Sequence, residues 1–250
     1  MLDFKNITFK YPNTEHKVID DLSFKINKGD FVSIIGASGC GKSTIFRLIS
    51  SLEKTSIGEI LIEGKNISNF KSKIGYMPQK DLLLPFRTIL QNASIPLEIQ
   101  GKSKFESNNI ASDLLKEFGL HKYESKFPKD LSGGMKQRIS FIRTLLTGAN
   151  LMILDEPFSA LDALTKMTMQ EWLLNQKLKY DKTILFITHD VDEAIFLSNK
   201  ILVVTDTPIK SLKEISVPLP KERTHDMMNC CDIIKLKESL IEQLRPKVSI

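Results

Sequence analysis

Three cysteines and one tryptophan in 250 residues are the first scarcities of this chain. Cys40 stands alone and Cys230 and Cys231 are adjacent, so neither a disulfide framework nor a metal-ligand spacing can be drawn. A reducing cytoplasm is the expected setting. Long apolar runs are also missing: Leu151–Leu154 and Ile201–Val204 are among the longest, far short of a bilayer span. Met1 leads into Leu2-Asp3-Phe4-Lys5 without a basic or apolar leader region, so no secretory signal is expected. There is no internal repeat and no low-complexity tract. A net charge of +5 is too modest to demand nucleic acid, and no nucleic-acid partner is expected.

What is present suits one large α/β domain. Apolar residues make up 42% and charged residues 26%, ordinary for a globular chain. Leu2–Tyr11 and Val18–Ile26 alternate apolar and polar side chains around a break at Pro12-Asn13, which predicts two early antiparallel strands. Strands are also predicted at Phe31–Ile35, between Gly58 and Gly64, and at Ile74–Met77. The periodicity then turns helical from Thr88 to Glu98 and from Phe105 to Phe118, which predicts a mostly helical insertion over about 81–148. Two strand–helix units return at Leu151–Leu154, with a helix after Ala163, and at Thr183–Thr188, with a helix after Asp190. Val203-Val204 is expected to close the sheet and Ile209–Val217 to add an edge strand. Beyond Pro218 and Pro220, Ile233, Leu236, Leu240 and Leu244 mark an amphipathic helix in a tail over about 221–250. The expectation is a single domain, 1–250, with a mixed-sheet core and an N-terminal antiparallel β subdomain.

The most informative stretch is Gly36-Ala37-Ser38-Gly39-Cys40-Gly41-Lys42-Ser43, a full match to G-x-x-x-x-G-K-[ST]. An apolar strand precedes it and a helical pattern with Ile45, Leu48 and Ile49 follows, the context a phosphate-binding loop requires. Glycines let the backbone curl so that successive N–H groups face phosphate oxygens, and the helix start adds partial positive charge. Lys42 is expected to reach the outer phosphates and Ser43 to offer its hydroxyl to Mg²⁺. Cys40, one residue before Gly41-Lys42 at a helix start, is expected to be either a reactive thiol whose alkylation a bound nucleotide suppresses or a buried, inert filler at a tolerant position.

Two further stretches carry chemistry. Leu151–Leu154 ends in Asp155 and Glu156; an acid at the end of a strand beside a phosphate loop holds Mg²⁺ through water, and the next residue is placed to activate a water. Leu131-Ser132-Gly133-Gly134-Met135-Lys136-Gln137-Arg138 pairs a good N-cap, Ser132, with two glycines that leave N–H groups bare at a helix start. Two phosphate sites so far apart in one chain make sense if two copies pair, each lending this turn to the other's nucleotide.

With these motifs together, the chain to about Val204 resembles the ATP-binding cassette ATPases, the motor subunits of ABC transporters. The resemblance implies an α/β P-loop NTPase fold of that type, with ATP and Mg²⁺ as ligands. Tyr11 is similar to the aromatic that stacks on adenine; Gly36, Ala37, Ser38, Gly39, Cys40, Gly41, Lys42, Ser43 and Thr44 form the nucleotide loop. Gln79 resembles the glutamine that ligates Mg²⁺ and senses the membrane subunit. Ser132, Gly133 and Gly134 resemble the signature that contacts the γ-phosphate across a dimer, and Ser159-Ala160-Leu161-Asp162 the loop after the catalytic acid. His189 resembles the switch histidine that bonds the γ-phosphate and pairs with Glu156. Catalysis is thus expected from Glu156, His189 and Gln79, with Mg²⁺ at Ser43, Gln79 and Asp155.

The run Asp81-Leu82-Leu83-Leu84-Pro85-Phe86-Arg87-Thr88 through Asn92 is similar to one in bacterial importers for nitrate, sulfonates, taurine, bicarbonate and thiamine-type pyrimidine precursors. The implied partners are a second copy of the chain, a transmembrane permease that docks on Leu82–Phe86, and, indirectly, a solute-binding protein, at the cytoplasmic face of the membrane. Exporter and lipoprotein-extraction ATPases share the catalytic motifs and remain an alternative, as does a soluble, non-transport ABC protein. Soluble relatives usually carry two cassettes or long coiled-coil insertions, and neither is here. A GTPase would want Asn-Lys-x-Asp, whereas Asn199-Lys200 is followed by Ile201-Leu202.

Overall fold

The computed structural model describes residues 1–12, 14–69 and 74–245. The expected break at Pro12-Asn13 falls partly on a residue outside this set, and so does the end of the expected tail, 246–250. The chain folds as two compact units, Met1–Ser72 with Gln170–Ile250, and Lys73–Met169.

The first unit holds two layers of strand. β1 (Leu2–Phe9) pairs antiparallel with β2 (Ile19–Ile26) and with β4 (Ile57–Ile62), and β4 pairs with the short β5 (Lys65–Asn66). Leu2, Phe4, Ile7 and Phe9 are buried, paired with Ile26, Phe24, Leu22 and Ile19; the alternation read from the sequence holds for Leu2 and Phe4 and again for Ile7 and Phe9, and a register shift lies between the two halves. β3 (Phe31–Gly36) is buried along its whole length, as a strand covered on both faces must be. It lies parallel between β8 (Thr183–Ile187) and β9 (Lys200–Val204), and β10 (Lys213–Ser216) joins the β9 edge antiparallel. This edge strand is shorter than the sequence predicts. Ile209 instead makes an isolated parallel bridge to Ile19, so the segment between serves as a connection. Helices α1 (Lys42–Ile49), α6 (Val191–Leu197) and α7 (Cys231–Leu244) belong to this unit. α7 buries Ile233 and Leu240 against Ala194, Ile195, Ile201 and Val203, so the tail's amphipathic face is a packed one.

In the second unit β6 (Ile74–Met77) and β7 (Leu151–Asp155) run parallel, with Met77 opposite Leu154. Between them each described α-helix has a readable start. Thr88 and Gln91 form a capping box for α2 (Ile89–Ile99), Ser103 caps α3 (Lys104–Glu117), and Ser132 caps α4 (Gly133–Leu145). α5 (Ala163–Tyr180) follows β7, and Asp162 accepts from the Thr165 N–H at its start.

Candidate functional site

In the first unit the sheet register sets the geometry. Ile34 pairs with Ile187, and the Thr188 N–H reaches the Ile34 carbonyl, so the phosphate loop and His189 leave the same edge of neighbouring parallel strands. The carboxyl ends of parallel strands are where open α/β sheets bind ligands. Gly41 ends the loop at φ 103°, and a Cβ there would stand 2.6 Å from Val18 Cγ1, so only glycine fits. Ala37, Ser38, Gly39 and Ser43 are exposed, whereas Lys42, Cys40 and Thr44 are buried. The Lys42 ammonium donates to the Gly36 and Ala37 carbonyls at 2.9 and 2.8 Å and lies 3.8 Å from Cys40 Sγ. It therefore ties the loop's own backbone together. The Cys40 residue is only 7% exposed, so of its two expected roles the buried filler fits and the ready alkylation does not.

Tyr11 stands at the end of the first hairpin strand with its hydroxyl 3.2 Å from Thr44 Oγ1. Its ring meets Phe9 edge-on, and the Arg47 guanidinium lies 6.0 Å over its centroid. The aromatic is thus held to α1 by a hydrogen bond and a cation–π contact. His189 is exposed; Thr188 before it bonds Glu193, and Asp190 after it accepts from the Asp192 and Glu193 N–H groups.

The second unit carries the remaining predicted residues: Gln79, Ser132, Gly133, Gly134, Asp155 and Glu156. Gln79 Nε2 donates to Glu156 Oε2 at 3.1 Å, which brings the two together. Glu156 has φ 49°, a costly conformation for a side-chain-bearing residue, and strain of that kind clusters at functional sites. Asp155 is buried at the end of β7. The Ser132 hydroxyl accepts from the Met135 N–H at 3.3 Å, as its N-cap reading predicts. Gly134 lies so near the following loop that a Cβ would be 3.0 Å from the Ala160 carbonyl.

Sequence reasoning missed the residues that hold these pieces in place. Gln137 donates to the Glu156 carbonyl at 3.0 Å and to Ser159 Oγ at 3.1 Å, and it accepts from the Ala160 N–H at 2.9 Å. It fixes the loop after the acids to the signature helix. Arg143, farther along that helix, donates to the Asp81 and Leu82 carbonyls at 2.7 and 2.9 Å. Burial pushes its guanidinium below the ordinary arginine value, with Asp81 opposing the shift. Asn92 is fully buried: it accepts from the Leu84 N–H and donates to the Leu84, Arg87 and Thr88 carbonyls. Gln137 and Arg143 act on backbone groups far along the chain and Asn92 on those just before its own helix, and such contacts leave no periodic signal.

Of the residues expected to hold Mg²⁺, Ser43 carries a hydroxyl in the first unit, and Gln79 and Asp155 carry an amide and a carboxylate in the second; all three side chains offer hard oxygens of the kind that ion takes. Among the described residues no three His, Cys, Asp or Glu side chains form a metal cluster.

Comparison with known proteins places this geometry. Residues 19–159 match the family described as ABC transporter. The formylaminopyrimidine import ATP-binding protein ThiZ of Halalkalibacterium halodurans is 45% identical over 87% of this chain and 85% of its own length. The aliphatic sulfonates import ATP-binding protein SsuB of Bacillus cereus is 39% identical over 88% of this chain and 86% of its own. Among solved structures, the dimeric post-hydrolysis state of the ATP-binding cassette MJ0796 bound to ADP and Pi superposes with a TM-score of 0.79 at 28% identity, covering 88% of this chain and all of that one. A phosphate loop, a helix capped by Ser132 and an acid pair at the end of β7, matched over most of the chain, have one reading: the chain belongs to the ABC transporter family and is one of its ATP-binding, ATP-hydrolysing subunits.

Proposed function

We propose that this subunit drives import of a small organic solute, with two copies closing head-to-tail on two ATP molecules beneath a separate permease at the cytoplasmic face of the membrane. The single observation that carries the transport part is the segment after Gln79. Leu82 and Phe86 are 59% and 74% exposed, yet the loop that presents them is pinned by buried Asn92 and by Arg143. Apolar anchors on a rigid support, tied through Gln79 to Glu156, are what a helix docking from a membrane partner needs. Among the described residues no helix is long and apolar enough to cross a membrane, so in this reading the passage belongs to the partner. Import is supported by the similarity to ThiZ and SsuB, both named as import proteins, and the solute class proposed is theirs: a pyrimidine precursor or a sulfonate.

The proposed chemistry is in-line hydrolysis. Loop N–H groups and Lys42 hold the phosphates; Tyr11 stacks on adenine; Ser132, Gly133 and Gly134 serve the γ-phosphate of the partner copy's nucleotide. Glu156 takes a proton from water as the water oxygen bonds to the γ-phosphorus and the bond to the bridging oxygen breaks, releasing ADP and phosphate. Gln79 orients Glu156, and His189 holds the γ-phosphate. Ser43, Gln79 and Asp155 would hold Mg²⁺, whose charge neutralises the phosphate oxygens. Catalysis on this plan is positioning and charge stabilisation. In the same proposal the chain is one ABC ATPase domain, with the helical insertion about 81–148 and the tail about 221–250 as parts of it.

The test is co-expression with any membrane subunits encoded beside this gene, followed by ATPase assays in liposomes with any solute-binding protein encoded there. Stable co-purification, and stimulation by a pyrimidine precursor or a sulfonate applied on the binding-protein side, are expected. A cassette that assembles with no membrane subunit, or that is stimulated only by a solute applied on its own side, overturns the importer reading.

A further inference from the structure

α6 spans only seven residues, Val191–Leu197, and a helix of two turns has little stability of its own. Its orientation is therefore set by what grips its ends, and His189 sits two residues before its first turn. At that near end Thr188 bonds Glu193, the Asp190 N–H donates to Thr188 Oγ1 at 3.0 Å, and the Asp190 carboxylate caps the helix. The histidine backbone lies between two residues that are both fastened to α6, so a tilt of the helix is a displacement of the imidazole.

The far end is gripped by a residue outside every recognised motif. Arg223 Nη1 lies 3.2, 2.9 and 2.8 Å from the carbonyls of Ile195, Phe196 and Ser198, and Nε donates to the Pro220 carbonyl at 2.6 Å. The last carbonyls of a helix have no partner within it, and a cation there also meets the negative end of the helix dipole. The His225 ring stacks on Phe196 with centroids 3.9 Å apart and planes 13° from parallel. From α7, Lys237 reaches Asp192 at 2.7 Å, and Ile233 and Leu240 share a cluster with Ala194 and Ile195. One continuous segment thus holds α6 at both ends and along its buried face. Ile35, just before the phosphate loop, belongs to the same cluster. Burial pushes the Arg223 guanidinium down to about 10, which leaves it charged at neutral pH.

We propose that Arg223 is a positioning residue for ATP hydrolysis, bracing the end of α6 so that His189 keeps its orientation toward the γ-phosphate. The proposal rests on the role given to His189 above. Nη1 sits among the three carbonyls at the end of α6 while Nε of the same rigid plane holds the Pro220 carbonyl, and two nitrogens of one plane fix an angle, whereas a lysine ammonium offers a single point contact. Misplacing a catalytic group by about an ångström costs up to roughly 10²-fold in rate, so a slackened α6 has room to show itself in turnover.

The experiment uses the full chain with Arg223→Gln and Arg223→Lys, each alone and combined with His189→Ala. Steady-state ATPase gives kcat and KM, single turnover with labelled ATP gives the slow residual rates, and thermal melts set a temperature at which every variant is folded. The expected result is a kcat for Arg223→Gln lower by about tenfold with KM within about twofold, the pattern of a lost transition-state interaction. Arg223→Lys should fall between it and wild type, and neither change should lower the residual rate of His189→Ala further. Wild-type kcat in the folded arginine variants, or a loss that multiplies with that of His189→Ala, overturns the proposal while leaving the role of His189 intact. Wild-type turnover in His189→Ala overturns both. If Arg223→Gln fails to fold, Arg223→Lys, which keeps the charge and the stem, decides by the same criteria.

Discussion

Phe86→Asp separates docking from folding more cleanly than any other change in the segment after Gln79. Phe86 is 74% exposed, so a carboxylate there stays in water and should alter stability by no more than about 0.5 kcal/mol. In the assembled transporter the same position is proposed to be buried against the permease. Losing the ring forfeits roughly 2 kcal/mol of burial, and stranding a charge in an apolar contact adds a further penalty of about 1–3 kcal/mol. Together these lower affinity on the order of 10²–10³-fold, enough to empty the complex during purification. Leu83→Asp is the control. Leu83 is 9% exposed, so a charge there falls on the fold itself and should cost about 3 kcal/mol or more. Leu84 is a poorer probe, because it is partly buried and its backbone N–H and carbonyl are both held by Asn92. Melting temperature, ATPase of the isolated cassette and co-purification with the permease are measured side by side. Phe86→Asp should melt and hydrolyse like wild type and fail to co-purify; if it unfolds the segment is core, and if it still assembles and transports the permease docks elsewhere.

Other outcomes follow from the same structure. Glu156→Gln should retain ATP binding and lose turnover by about 10²-fold or more, trapping a closed dimer visible by size exclusion, whereas Lys42→Ala should weaken binding itself; equal ATP affinities in the two would reverse the assigned roles. Asn92→Ala strands the Leu84 N–H and the carbonyls that its amide serves and should lower unfolding free energy by about 3 kcal/mol in urea, each buried unpaired group costing roughly 1–3 kcal/mol; a change near zero would mean that the loop finds other partners. Glu98 is a pH test: burial works to raise its pKa, but hydrogen bonds from Ser94 and Arg87 outweigh this and hold it below the usual 4.5. A depressed carboxylate contributes stability above its unfolded pKa and loses it as pH falls through the folded one, so acidification below about pH 4.5 should destabilise wild type more than Glu98→Gln. The effect should be small because the pair is about one third exposed, and parallel melting curves would exclude it.

The sequence determined this protein's chemistry wherever the chemistry is local. The phosphate loop needs a strand, a backbone curl and a helix start in immediate succession, so Gly36–Ser43 announces itself within a single short window. Ser132 was readable as an N-cap for the same reason, since a cap acts on N–H groups only a few residues away. Alternation within each half of β1 likewise fixes which face is buried, since a strand has a period of two, but the shift in register between Phe4 and Ile7 that keeps both on that face appears only in the pairing. Tertiary structure alone decided what lacks a period. Leu82–Phe86 is a featureless apolar run in sequence, yet Leu83 faces inward and Phe86 outward, a split set by the grip of Asn92 and Arg143 on the loop backbone. Cys40 read equally as a reactive thiol or an inert filler from its neighbours, and the curl of the loop turns it inward. The roles of Gln137 and Arg223 were invisible because each serves backbone groups of another segment, and that of Asn92 because it serves the irregular turn before its own helix. A backbone carbonyl is the same in every residue, so a long side chain that pairs with one leaves no complementary letter in the sequence; only the fold, by bringing the two together, shows that the contact exists.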